Sequence, residues 1–231
     1  VYTMIPPGNY THQNLDVMVQ VHEMANIYKQ AIEQSGVKRV VQLSSIGAHT
    51  NKGNGILRVY YQMESILSEM PSEVAITFMR PVGLYYNLYA FVNTIKAQGV
   101  IATNYGGDNK KPWVSPKDIA STVADEIVTQ SEGRKIRYVA SEEISSNEIA
   151  SILGEVIGKP DLKWIVIPDE QLLKGMIAGG MNPHIAAGLV EMNASIRTGV
   201  LYEDYYRNRP TLGKVKMTDF AKEFAVIYNQ K

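Results

Sequence analysis

The 231-residue chain contains no cysteine. That absence excludes disulfides, thiolate nucleophiles and sulfur-held zinc, and it fits a reducing cytoplasm, the expected location. Histidine is scarce: His12, His22, His49 and His184 show neither HxH nor HExxH spacing, so no metal site is expected. No apolar run is long enough to cross a bilayer, and the opening residues lack the order of a signal peptide, so no membrane role is expected. Nor is there an excess of charge. The 23 basic residues balance 23 acidic ones, with no basic run interleaved with aromatics, which argues against nucleic acid as a direct ligand. Two catalytic signatures are missing as well. There is no G-x-S-x-G elbow for serine hydrolysis, and no tyrosine is followed four residues on by lysine. In that pair one helical turn sets an ammonium beside a phenol and lowers its pKa. Tyr60 is followed instead by Glu64, which would raise a phenol pKa, and Tyr61 by Ser65. The G-x-G-x-x-G turn that cradles a dinucleotide pyrophosphate is also absent. Gly106-Gly107 and Gly179-Gly180 are isolated pairs that read as turn or helix-end glycines.

What is present is an alternation of β-branched runs and amphipathic helices, in a chain long enough for one domain or one domain with a small lobe. Residues 1–5 read as a strand stopped by Pro6-Pro7-Gly8. Residues 16–35 place Val17, Val21, Met24, Tyr28 and Ala31 on one helical face, and Gly36 supplies a left-handed cap. Residues 37–45 then form the organising strand, buried and parallel, which completes a right-handed βαβ unit. Ser44 and Ser45 sit at its carboxyl end, where ligands bind in open α/β sheets; the same pair also reads as an ordinary strand ending.

A Gly/Asn loop at 51–55 leads to a helix carrying Ile56, Tyr60, Met63, Leu67 and Met70 in register. Residues 74–79 form a strand that ends at Arg80-Pro81. Tyr85, Tyr86, Tyr89 and Phe91 cluster on a helix, with core packing the favoured reading. An extended piece from Trp113 leads into a helix with Ile119, Val123 and Ile127 on one face. Residues 135–140 are a strand, Ser145 and Glu148 make a capping box, residues 162–167 are a short strand, and the pattern from Pro168 onward is mainly helical.

Five stretches in order carry a likeness beyond these patterns. They are Ile5-Pro6-Pro7 after a strand, Val37-Lys-Arg-Val-Val-Gln-Leu-Ser-Ser45 after Gly36, Arg80-Pro81-Val82-Gly83 with Tyr85 and Asn87, Trp113-Val-Ser-Pro-Lys-Asp-Ile-Ala120, and the tail Leu201-Tyr-Glu-Asp204 with Phe220-Ala-Lys-Glu-Phe224. Together they resemble the NmrA-like branch of the atypical short-chain dehydrogenase/reductases. The resemblance implies a doubly wound, parallel Rossmann-type α/β sheet binding NAD or NADP, with a smaller, mainly helical C-terminal lobe. The Rossmann-like part would span 1–140 and the substrate lobe 141–231, interleaved with it. Met4, Ile5, Pro6 and Pro7 would line the cofactor, Ser44 and Ser45 the nicotinamide ribose, and Pro81, Val82, Gly83 and Leu84 the nicotinamide. Tyr85, Tyr86, Asn87 and Trp113 would face a small-molecule substrate or effector. No catalytic residue is assigned; Tyr60 is the candidate. The family's glycine-rich loop and first strands would precede Val1, so the chain is expected to lack roughly 60 residues, two βα units. The implied activity is reduction of a small carbonyl, quinone or related electrophile. A non-catalytic redox-sensing protein is the alternative, and a nucleotide-sugar epimerase or dehydratase the third.

Overall fold

The computed structural model describes residues 1–6, 8 and 10–230. β1 (Tyr2–Met4), α1 (Val17–Ser35), β2 (Arg39–Leu43), α2 (Arg58–Ser68) and β3 (Ala75–Pro81) alternate along the chain. β4 (Gly83–Leu84), a 3-10 turn (Tyr85–Phe91), α3 (Val92–Gln98), β5 (Val100–Thr103), β6 (Lys111–Val114), α4 (Pro116–Val128) and β7 (Arg134–Val139) follow. The remainder is β8 (Glu142–Ile144), α5 (Ser146–Val156), β9 (Lys163–Val166), α6 (Asp169–Ala178), α7 (Pro183–Thr198), α8 (Glu203–Arg207) and α9 (Met217–Asn229). Strands β1-β2-β3-β7 form one parallel sheet. Helices α1 and α2 cover one face and α4 the other, the doubly wound α/β arrangement. Among the described residues no helix is long and apolar enough to cross a membrane.

Local chemistry sets the element ends. Asp16 accepts the amides of Met18 and Val19 to start α1, and Gly36 ends it at φ 68°. The Ser145–Glu148 capping box starts α5. Two helical faces differ from the expected ones. In α1 the buried side chains are Val21, Ala25 and Ile32, while Ala31 is exposed, because one residue turns a helix face by about 100°. In α4, Ile127 is exposed and Glu126 takes the inward position beside Ile119 and Val123. A carboxylate is tolerated there because the strands beneath supply partners. Thr77 Oγ1 and Arg137 Nη1 donate to it at 2.8 and 2.9 Å, and Arg39 donates to the Glu126 carbonyl. Burial alone would push this carboxyl pKa up, but the Arg137 and Thr77 hydrogen bonds and the charge of Lys135 hold it below the usual range.

The sheet's β1 edge is covered on one face only. Ile5 packs toward α1 and α2, whereas Tyr2 and Met4, on the opposite face, are exposed. Two smaller sheets, β4-β6-β8 and β5-β9, join the 3-10 turn, α5 and α9 around a second core that holds Tyr85, Trp113, Trp164 and Phe224. Residues on both sides of position 140 contribute to it.

Candidate functional site

Parallel pairing puts the carboxyl ends of β1, β2 and β3 on one side of the sheet. The loops leaving β2 and β3 are joined by backbone hydrogen bonds: Ser44 N donates to Met79 O at 2.7 Å and Ile46 N to Pro81 O at 2.9 Å. Val82 N donates to Val139 O at 3.1 Å, and β4 then pairs with β6, so residues 81–84 run extended beside the Ser44 loop. Ser45, Gly83 and Leu84 are partly exposed along this junction, whereas Ser44, Pro81 and Val82 are buried. At the end of β1 the Met4 carbonyl accepts from Tyr28 Oη at 2.9 Å, Ile5 is half-buried and Pro6 is exposed. Pro7 lies outside the described residues.

Beneath the junction lies a polar network that sequence reasoning missed. Ser44 Oγ donates to Glu64 Oε1 at 2.5 Å. Arg80 Nε and Nη2 reach the two oxygens of Glu64 at 3.0 and 2.6 Å, a bidentate pair between buried groups. Its Nη1 donates to Asp204 Oδ2 at 3.1 Å, and Tyr138 Oη donates to the same oxygen at 2.6 Å. Burial opposes the charge on Arg80, yet Glu64 and Tyr138 raise its pKa well above the ordinary value. Burial and the Asp204 acceptor raise the Tyr138 phenol in turn. The signal was readable: Glu64 stands one position from Met63 and three from Leu67, on the buried face of α2, where a carboxylate needs a cation.

Tyr60, the catalytic candidate, packs its ring toward the α1–α2 core, and burial pushes its pKa up. Of the expected substrate-side residues, Tyr86 and Asn87 are exposed. Tyr85 and Trp113 are instead enclosed in the second core: Tyr85 stacks on Phe220 with ring centroids 5.4 Å apart, and its hydroxyl donates to Glu142 at 2.7 Å. Both side chains are spent on packing because β4 and β6 pair here and turn them inward. His49, on the loop after β2, has its Nδ1 buried with no hydrogen-bond partner among the described residues. Burial lowers its pKa, with Asp204 opposing and Arg80 adding to the shift. The junction therefore offers a hydroxyl, apolar walls and extended backbone. Its strong charges are paired with one another, two carboxylates on one guanidinium, and the Ser44 proton is committed to Glu64.

No family model matches the chain, and a comparison with curated proteins finds no match. Solved structures do match. An NADPH-dependent quinone oxidoreductase from Escherichia coli, complexed with NADPH, is similar over 96% of this chain and 75% of its own, with TM-score 0.72 and 18% identity. A nucleoside-diphosphate-sugar epimerase from Staphylococcus aureus is similar over 96% of this chain and 76% of its own, with TM-score 0.71 and 15% identity. A triphenylmethane reductase from Citrobacter sp. covers 96% and 75% in the same order, with TM-score 0.66 and 18% identity. At these identities the likeness shows the fold, the Rossmann-like α/β architecture that these reductases and this epimerase share.

Proposed function

We propose that the chain forms the nicotinamide side of an NAD(P)-dependent reductase acting on a small carbonyl, quinone or related electrophile, in the manner of the NmrA-like proteins it resembles. The observation that carries this reading is the bonded junction of the Ser44 and Pro81 loops at the tips of adjacent parallel strands, where such folds place ligands. The neighbours described as an NADPH-dependent quinone oxidoreductase and a triphenylmethane reductase support it. The residues present fit a nicotinamide riboside. Ser45 offers a partly exposed hydroxyl with no side-chain hydrogen bond among the described residues, Gly83 and Leu84 offer an extended wall, and Ile5 and Pro6 border the β1 end. The sequence holds no glycine-rich turn for the pyrophosphate.

A bound nicotinamide supplies the hydride chemistry, and the chain binds, orients and shields it. With Ser44 committed to Glu64, the product proton comes from water. Oxidation of NADPH and of NADH in the presence of a panel of quinones and aldehydes tests the proposal. Turnover of at least one acceptor is expected, and silence across the panel overturns it. A second reading, a non-catalytic redox sensor, is favoured by Glu64 standing one turn from Tyr60 and bound to Arg80, which leaves no acid pair. Sensing requires oxidised and reduced dinucleotide to bind with different affinity. Calorimetry with each form separates the two readings.

A further inference from the structure

The edge of the main sheet opposite β1 is β7. Ile76 N donates to Gly133 O at 2.8 Å and Val82 N to Val139 O at 3.1 Å, so residues 133, 135, 137 and 139 turn their backbone groups toward β3. The N–H and C=O of Ile136 and Tyr138 therefore point the other way, out of the sheet. Beyond them the chain covers its own edge, because Gly213 N donates to Ala140 O at 2.8 Å. That strap, residues 208–213, cannot slide back along the strand. Asp118 of α4 pins its end, accepting from Lys214 N at 3.2 Å, Val215 N at 3.0 Å and Ser141 Oγ at 2.6 Å.

Between the strap, α4 and this edge lies a cavity of about 200 Å³, with Thr122, Arg137, Tyr138, Asn208 and Thr211 in its wall. Tyr138 is 3% exposed, yet neither its N–H nor its C=O has a hydrogen-bond partner among the described residues. Buried backbone groups are paired as a rule, so these two call for a partner from outside the chain. A donor and an acceptor side by side on a strand edge match the main chain of another extended segment. Ile136, the next outward residue of the edge, is 50% exposed and leaves that segment room to continue. Charge selects its chemistry. Arg39, Lys135 and Arg137 share one carboxylate, Glu126, at 3.9, 3.5 and 2.9 Å, with no other acid in ion-pair distance among the described residues. Arg137 commits only Nη1 to Glu126; its Nε and Nη2 have no partner among the described residues and keep accessible surface. This surplus of positive charge attracts a carboxylate and repels a second copy of the same edge.

We infer that the outer edge of β7 docks an extended, acidic segment of another protein, which pairs with the main chain of Ile136 and Tyr138 and sets a carboxylate against Arg137. The test is a titration of the intact chain with the synthetic peptide acetyl-Thr-Val-Asp-Val-Thr-amide, followed by heteronuclear NMR. The amides of Ile136 and Tyr138 should shift, while those of Ser45 and Gly83 at the nicotinamide junction stay in place. Alternate residues of a paired strand face its neighbour, so N-methylating both valines and N-methylating the aspartate should have unequal effects. One modification should weaken binding roughly tenfold or more, and the other should leave it within about twofold. Asparagine in place of the peptide's aspartate, or Arg137→Gln in the protein, should weaken binding roughly three- to tenfold. In Arg137→Gln the Glu126 carboxylate keeps Thr77, Arg39 and Lys135, and the peptide series on the wild type decides the matter should that variant be destabilised. No shift at Ile136 and Tyr138 with millimolar peptide, equal losses from both N-methylated peptides, or indifference to the aspartate overturns the assignment.

Discussion

Glu64 has two neighbours that decide what it does, the Ser44 hydroxyl at 2.5 Å and the Arg80 guanidinium at 2.6 Å. Taking one partner from a buried pair leaves the other charge uncompensated, which costs about 3–5 kcal/mol. Glu64→Ala should therefore lower the unfolding free energy by about that much in urea titrations, with Asp204 limiting the loss at Arg80. A loss below about 1 kcal/mol would show that the pair is solvated. Glu126 allows a pH test. Its folded pKa lies below the unfolded value of about 4.3, so its contribution is complete above that value and is lost as pH falls through the folded pKa. Glu126→Gln should flatten the acid limb of a plot of urea midpoint against pH, from about pH 5 downward. An unchanged acid limb would count against the depressed pKa. At this scale the sequence was only partly legible. Ser44 and Arg80 stood out by their place at strand ends, whereas Glu126 inside α4 did not, because the apolar spacing 119–123–127 is as regular as the true one. Thr77 of β3 and the cations of β2 and β7, partners outside the helix, favour Glu126.

Between elements, α7 is pressed against the 3-10 turn Gly55–Leu57. A Cβ on Gly55 would stand 1.9 Å from the Gly188 carbonyl oxygen and 2.6 Å from Met192 N, and Gly55 is at φ +56°. Gly53, two residues earlier, has φ +68° with open space around it. The pair separates conformational strain from collision. Gly53→Ala should cost about 1–2 kcal/mol for the left-handed backbone alone. Gly55→Ala should cost about 3–4 kcal/mol, since α7 must also move off the turn. Thermal unfolding of the two variants checks the ranking, and equal costs would mean that α7 is not seated as described. Strands, helices and caps of the first half were legible because each is set by its own periodicity and termini: Asp16, Gly36, and the alternation up to Ser45. The short strands β4, β5 and β8 were not, since two to four residues carry no period and exist only through partners distant in sequence.

Across the whole molecule, the likeness to reductases and an epimerase arises from the order in which strands cross, not from any one motif, and 15–18% identity suffices for it. The proposed division into a Rossmann-like part at 1–140 and a lobe at 141–231 has a mechanical consequence. Both tryptophans, Trp113 and Trp164, are 6% exposed in the second core, so their fluorescence reports that core alone, while far-ultraviolet circular dichroism reports every helix. The parts are stitched together at several points. Asn182 Nδ2 donates to the carbonyls of His12 at 3.1 Å and Gln13 at 2.9 Å, Asn182 N donates to Tyr10 O at 3.0 Å, and α7 rests on Gly55. Interlocked parts that share chain crossings lose their packing together. Fluorescence and dichroism should therefore give one midpoint in urea. Asn182→Ala removes the α7 cap together with the bonds to His12 and Gln13, and should lower that midpoint by the equivalent of about 2–3 kcal/mol. Two separate midpoints in the wild type would show that the lobes unfold independently and that the stitching carries little of the stability.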